Sequence, residues 1–254
     1  MSKQARIRTQ ELRKAQEEAA RRQAGRRRVI MVLGTLVILG LVVAIILAVV
    51  KATGGDDGPT KALDDVATPR NVTSSGAIPV GEEDAPVTVE IYYDYMCPAC
   101  GAFEAANSAE LDRLIEEGVA RVELRPISFL DEQSNGTEYS TRAANAMATV
   151  ADAAPDSAWD FHNALYADQP QEGSEGLTDE QIGEIAADVG VGSDVVDRFE
   201  DGTYSSWVAS VTELAFSEGV QGTPTVKVDG EEFDGDLYTV GPLTEAIESA
   251  AEDQ

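Results

Sequence analysis

Histidine and cysteine are almost missing from this 254-residue chain, which carries one of the first and two of the second. A disulfide-stapled secreted fold needs more cysteines with longer loops between them, so that class is excluded. A zinc site needs four Cys or His ligands in its closed form, and three residues cannot supply them. No metal and no other cofactor is called for. Basic residues are also scarce beyond the N-terminus. Residues 51–254 hold nine Lys/Arg against forty-three Asp/Glu, a net of −34, while residues 1–28 carry +7. A body of that sign repels nucleic acid and anionic lipid surfaces, so nucleic-acid binding is excluded and solubility is favoured.

One long uncharged run is present. Val29 to Val50 is twenty-two residues of mostly Val, Ile and Leu. At about 1.5 Å per residue it spans roughly 33 Å, the thickness of a bilayer core. Arg26, Arg27 and Arg28 abut one end and only Lys51 the other. The positive-inside rule then puts residues 1–28 in the cytoplasm and everything after Lys51 outside. A cleaved signal peptide is the alternative, but its apolar region is normally about 7–15 residues. Val50-Lys51-Ala52 is also a poor small-residue cleavage site. The expected organisation is a basic cytoplasmic tail at 1–28, a membrane anchor at 29–50, a Gly/Asp/Thr/Ser-rich flexible tether at 51–76, and a folded domain at 77–254. Asn71-Val72-Thr73 fits a glycosylation sequon, a pattern short enough to arise by chance.

Within the folded part, residues 86–94 (PVTVEIYYD) are β-branched and aromatic and read as a strand. Residues 98–117 carry Phe103, Leu111, Leu114 and Ile115 at helical spacing before Gly118. Residues 120–127 alternate as a second strand. Strand, helix and strand at this spacing form a right-handed βαβ unit with parallel strands. Helices are expected over 138–153, 157–168, 178–189, 193–200 and 203–218. A strand at 225–228, a turn at Asp229-Gly230, a partner strand at 231–233 and a helix over 241–252 complete the chain.

The two cysteines lie three apart, in Cys97-Pro98-Ala99-Cys100, where a strand gives way to a helix. A bridge closing so small a loop removes little chain entropy, so its role is chemical. The first N–H groups of a helix lack internal partners and the dipole there is positive, which favours a thiolate at Cys97. Pro98 suits the first turn. Cys97 is expected as the exposed nucleophile and Cys100 as the enclosed resolving thiol, exchanging disulfides through a mixed-disulfide intermediate. The spacing alone does not set the direction of that exchange. Gly222-Thr223-Pro224-Thr225 precedes a strand, a position where proline is tolerated.

Three stretches, GAIPVGEEDAPVTVEIYYDYMCPACGAFE (76–104), FHNALYADQP (161–170) and GVQGTPTVKVDG (219–230), resemble DsbA-like thioredoxin-fold oxidoreductases in a membrane-anchored, actinobacterial-type form. The resemblance implies an α/β thioredoxin fold with a helical domain inserted at about 128–219, behind one transmembrane helix. It implies that Pro224 is cis and packs beside Cys97, and that Thr223 offers its backbone to an extended client. It also implies exported client proteins with free thiols and a quinone-linked membrane partner for reoxidation. Two positions depart from the family. Ala99 stands where strongly oxidising members often carry His. Ile91 stands where many carry a buried acid, with Glu90 on the opposite strand face. Asp94 could take over that acid's part, but reads first as a solvated loop acid. His162 reads as a packed or surface residue. Tyr95 and Met96 flank the motif and are candidates for an apolar client groove with Tyr92 and Tyr93, although an aromatic strand end is equally a core feature. A reductase or isomerase of the same fold, or a tethered binding module with an idle cysteine pair, are the competing readings.

Overall fold

The computed structural model describes Leu63 and residues 65–254; the basic tail, the anchor expected at 29–50 and most of the tether lie outside the described residues. Five strands form one mixed sheet: β1 (Ile78–Val80), β2 (Val87–Tyr93), β3 (Ala120–Pro126), β4 (Thr225–Val228) and β5 (Glu231–Glu232), in the order β1-β3-β2-β4-β5. β2 and β3 are parallel, joined through helix α1 (Pro98–Glu116) as the strand–helix–strand pattern predicts, and the other pairs are antiparallel. Val87, Val89, Ile91 and Tyr93 alternate into one buried face of β2. The other face is also covered, because Tyr92 packs with Ile127, Ala215 and Val220. Glu90 lies on that second face, paired with Arg125 Nη2 at 2.7 Å. Asp229 and Gly230 both take positive φ (50° and 83°), the two-residue turn that matches strand twist between β4 and β5.

Between β3 and β4 the chain forms a helical layer: α2 (Tyr139–Ala153), α3 (Ala158–Ala167), α4 (Asp179–Asp188), α5 (Ser193–Val196) and α6 (Ser205–Ser217); α7 (Pro242–Glu252) closes the chain. Thr178 and Gln181 make a reciprocal capping box at the start of α4. The helix expected over 193–200 stops at Val196. Its continuation tightens into three-residue turns, which bring Phe199 against Phe161 and give its carbonyl to Asn145 Nδ2 at 3.0 Å.

The three-residue β1 carried no alternation long enough to read; it exists because it pairs with β3. The tether does not run free as far as residue 76. Arg70 donates to Asp152 from its backbone N and its Nε, both at 3.0 Å, and Asn71 Nδ2 donates to the Ala151 and Asp152 carbonyls. These bonds satisfy the last carbonyls of α2, which have no partner inside the helix. They also occupy the amide of the sequon. Arg70 and Arg198 together hold the Asp152 carboxyl well below the usual carboxylate range.

Candidate active site

Cys97 is the N-cap of α1. Its extended backbone (φ −76°, ψ 115°) turns the sulfur back over the helix start, where it accepts the Cys100 N–H at 3.4 Å, and Pro98 opens the first turn. The Cys97 thiol also reaches the Thr223 carbonyl at 3.4 Å, and the Thr223-Pro224 peptide is cis. The structure thus places the Thr223 carbonyl, on the cis peptide to Pro224, at the Cys97 sulfur. Cys100 is fully enclosed, and Cys97, expected as the exposed sulfur, is itself buried with 6% of its surface left open. The two cysteines are present as free thiols. Ala99 lies in the first turn and is partly buried against the core.

The electrostatics differ between the two sulfurs. Hydrogen bonding from the Cys100 thiol, then from the Thr223 side chain and from the Cys100 and Ala99 backbone N–H groups, pulls the Cys97 thiol down to about 6 against the opposing effect of burial. Burial pushes the Cys100 thiol well up, reinforced by its bond to Cys97. One sulfur is thus poised as a thiolate and the other is held as a thiol. Alkylation of the reduced chain by iodoacetamide is expected to rise through a midpoint near pH 6 at Cys97 and to leave Cys100 unmodified at neutral pH. Peptide mapping against pH checks both.

Several surrounding residues are placed differently from the sequence reading. Tyr95 and Met96 are buried, at 1% and 0% exposure, so they form the floor of the site and not a client groove. The backbone turns inward after β2 because Asp94 Oδ1 accepts the Met96 N–H at 2.8 Å. Asp94 itself is not solvated. It is 1% exposed, and also accepts from Ser140 Oγ at 2.6 Å and from the Leu130 N–H at 2.8 Å. Burial raises its carboxyl to about 6 despite those three donors. His162 is packed, as one branch of the sequence reading had it, but it is not a bland filler. Its Nε2 lies 3.0 Å from Glu104 Oε1 and its Nδ1 lies 3.2 Å from the Tyr95 hydroxyl, which is 3.3 Å from the Tyr93 hydroxyl. Glu104 Oε2 is buried with no hydrogen-bond partner among the described residues.

Sequence reasoning missed Glu104, Ser140, Tyr166 and Gln169. Glu104 left a readable trace, a carboxylate one turn after Cys100 inside the apolar stripe of Phe103, Leu111 and Leu114. Gln169 left none. Among the described residues no group of three His, Cys, Asp or Glu side chains is placed to hold a metal ion.

Comparison with known proteins agrees with this geometry. The thioredoxin family model matches residues 73–249. Disulfide bond formation protein D of Bacillus subtilis is 30% identical over 152 residues, which are 59% of this chain and 66% of that protein. The serine/threonine-protein kinase PknE of Mycobacterium tuberculosis is 29% identical over 155 residues, 58% of this chain but 27% of the kinase, so the chain spans only about a quarter of that relative's length. Among solved structures, MdbA, a thiol-disulfide oxidoreductase from Actinomyces oris, superposes with a TM-score of 0.64 at 30% identity, covering 76% of this chain and 95% of MdbA. A sheet with a cysteine pair at a helix N-cap, a cis-proline loop against the first sulfur, a helical insertion and these matches have one reading in common: the chain belongs to the thioredoxin family and is DsbA-like.

Proposed function

We propose that this protein is a thiol–disulfide oxidoreductase that makes disulfide bonds in exported proteins. The observation that carries the reading is the asymmetry of the two sulfurs: Cys97 accepts from a helix N-terminus beside the cis-Pro224 loop and Cys100 is enclosed. A lowered thiol at Cys97 stabilises the reduced form, which makes the disulfide form an oxidant. In the forward direction a client thiolate attacks Cys97 of the disulfide form and Cys100 leaves. A second client thiolate then attacks the client sulfur of the mixed disulfide, releasing oxidised client and reduced protein. Thr223 and Pro224 lie where an extended client would pair along the loop.

The domain acts outside the cytoplasm, held by residues 29–50 with the N-terminus inside, and a quinone-linked membrane partner reoxidises it. The uncharged run with its arginine flank supports the placement, and a compartment without a maintained thiol pool supports the direction. Ala99 between the cysteines favours a second reading, a reductase or isomerase of the same fold, because it withholds the cation that a His would add. Equilibrating the full-length chain with glutathione distinguishes them. A reduction potential well above thioredoxin's roughly −270 mV supports the oxidase, and a value near it supports the reductase.

A further inference from the structure

His162, Tyr166 and Gln169 fall at spacings of four and three, the first two on one stripe of α3 and the third two residues past its end. All three point at the loop that carries Cys97. The Tyr166 hydroxyl donates to the Asp94 carbonyl at 3.1 Å. Gln169 Nε2 donates to two carbonyls, Tyr95 at 3.1 Å and Cys97 at 2.8 Å. His162 holds the Tyr95 side chain from below. Three of the four carbonyls between Asp94 and Cys97 are thus taken by donors from the helical insertion. Space confirms the fit: a Cβ on Gly101 would overlap Gln169 Oε1, so a glycine in the first turn of α1 is what admits the glutamine.

We propose that Tyr166 and Gln169 are positioning residues by which the inserted helical layer holds the Cys97 loop in the one geometry that presents helix N–H groups, and not loop carbonyls, to the Cys97 sulfur. The physical basis is simple. A thiolate is stabilised by N–H groups, and the Thr223 carbonyl at 3.4 Å already opposes them, so a further carbonyl turned toward the sulfur from the 94–97 loop adds to that opposition. Two donors fix the direction of the Cys97 carbonyl: the helical Gly101 N–H at 3.2 Å and, as its side-chain donor, Gln169 Nε2 at 2.8 Å. Without it the carbonyl keeps only the helical Gly101 N–H at 3.2 Å, and the Tyr95 carbonyl loses its side-chain donor. The helical insertion is thereby a part of the reacting site and not merely a wall beside it. This inference rests on Cys97 being the reacting sulfur.

The titratable groups around the loop are Cys100 and Glu104 on α1, Tyr93, Asp94 and Tyr95 at the end of β2, Asp131 and Tyr139 behind Asp94, and His162 and Tyr166 on α3. Gln169→Ala changes none of them, so a shift in that variant reports the hydrogen bonds. The test is the pH profile of iodoacetamide reaction at Cys97 in the full-length reduced chain, together with its glutathione equilibrium and thermal midpoint. Gln169→Ala is expected to move the profile up by about one pH unit, with Tyr166→Phe moving it less. At pH 7 the glutathione equilibrium then shifts roughly five-fold toward the disulfide form of the protein. A Gln169→Ala profile that coincides with the parent chain's overturns the proposal, whether or not the thermal midpoint falls. If the parent chain fails to exchange with glutathione at all, the redox function falls, while the alkylation profiles still decide the positioning role.

Discussion

Cys97→Ala is expected to bring thiol–disulfide exchange down to the uncatalysed background, the largest change available to any single substitution here. Only two sulfurs in the chain can react as thiols, and Cys100 cannot stand in for Cys97: it has no exposed surface and its thiol is pushed up by burial. Since the thiolate is the attacking species, both properties work against it. Cys100→Ala should give a different signature. Cys97 keeps its backbone N–H donors and its place beside Thr223, so it still forms a mixed disulfide. Nothing then resolves that bond from within, and the chain accumulates as a covalent adduct with glutathione or client. Mass spectrometry under non-reducing conditions reads the adduct, and dithiothreitol should remove it. Exchange that persists in Cys97→Ala, or an adduct that fails to build up in Cys100→Ala, would overturn the division of labour between the two sulfurs.

The second large effect concerns stability and the Glu104–His162 pair. Both side chains are enclosed, at 4% and 0% exposure. The imidazole bridges the carboxylate and the Tyr95 hydroxyl, and is ringed by Tyr93, Trp159 and Tyr166 at centroid distances of 4.6, 5.6 and 5.1 Å. His162→Ala leaves a buried carboxylate without its partner and opens a hole among those rings. The expected loss is about 3–5 kcal/mol, the range for breaking a buried pair. Against a total of about 5–15 kcal/mol for a natural domain, that is enough to leave some of the chain unfolded at 37 °C. Glu104→Gln retains an acceptor for Nε2–H and should cost far less. The double variant Glu104→Ala/His162→Ala should cost less than the two single changes added together, because each removes the other's unpaired partner. Urea unfolding measures all four. A cost for His162→Ala within about 0.5 kcal/mol, the ordinary surface range, would mean that the pair is not holding the core.

How much of this was legible along the chain depends on the range of the interactions. The strand at β2, the helix at α1 and the turn at Asp229-Gly230 were readable because alternation, helical spacing and turn chemistry act between near neighbours. So was the placement of Cys97 at a helix start, with Pro98 after it. The burial of Asp94 is not legible locally, because it is made by partners far away in sequence, Leu130 and Ser140. Residues 65–76 have a tether's composition, yet Arg70 and Asn71 find the end of α2 some eighty residues on. Tyr95 and Met96 carry nothing that says which way they face; the Asp94 turn decides it.

The chemistry is written in the residues themselves: two thiols three apart where a strand gives way to a helix, no third cysteine, and an aliphatic run behind an arginine cluster. Those are matters of residue type and short spacing, and no folding can change them. Long-range packing sets which carboxylates are enclosed, that the Thr223 carbonyl beside the cis peptide meets Cys97 across 126 residues, and that Gln169 reaches back 72 residues to the Cys97 carbonyl. Contacts of that kind come from helices and strands packing their apolar faces together, and side chains such as Gln169 meet their partners only once those faces have closed.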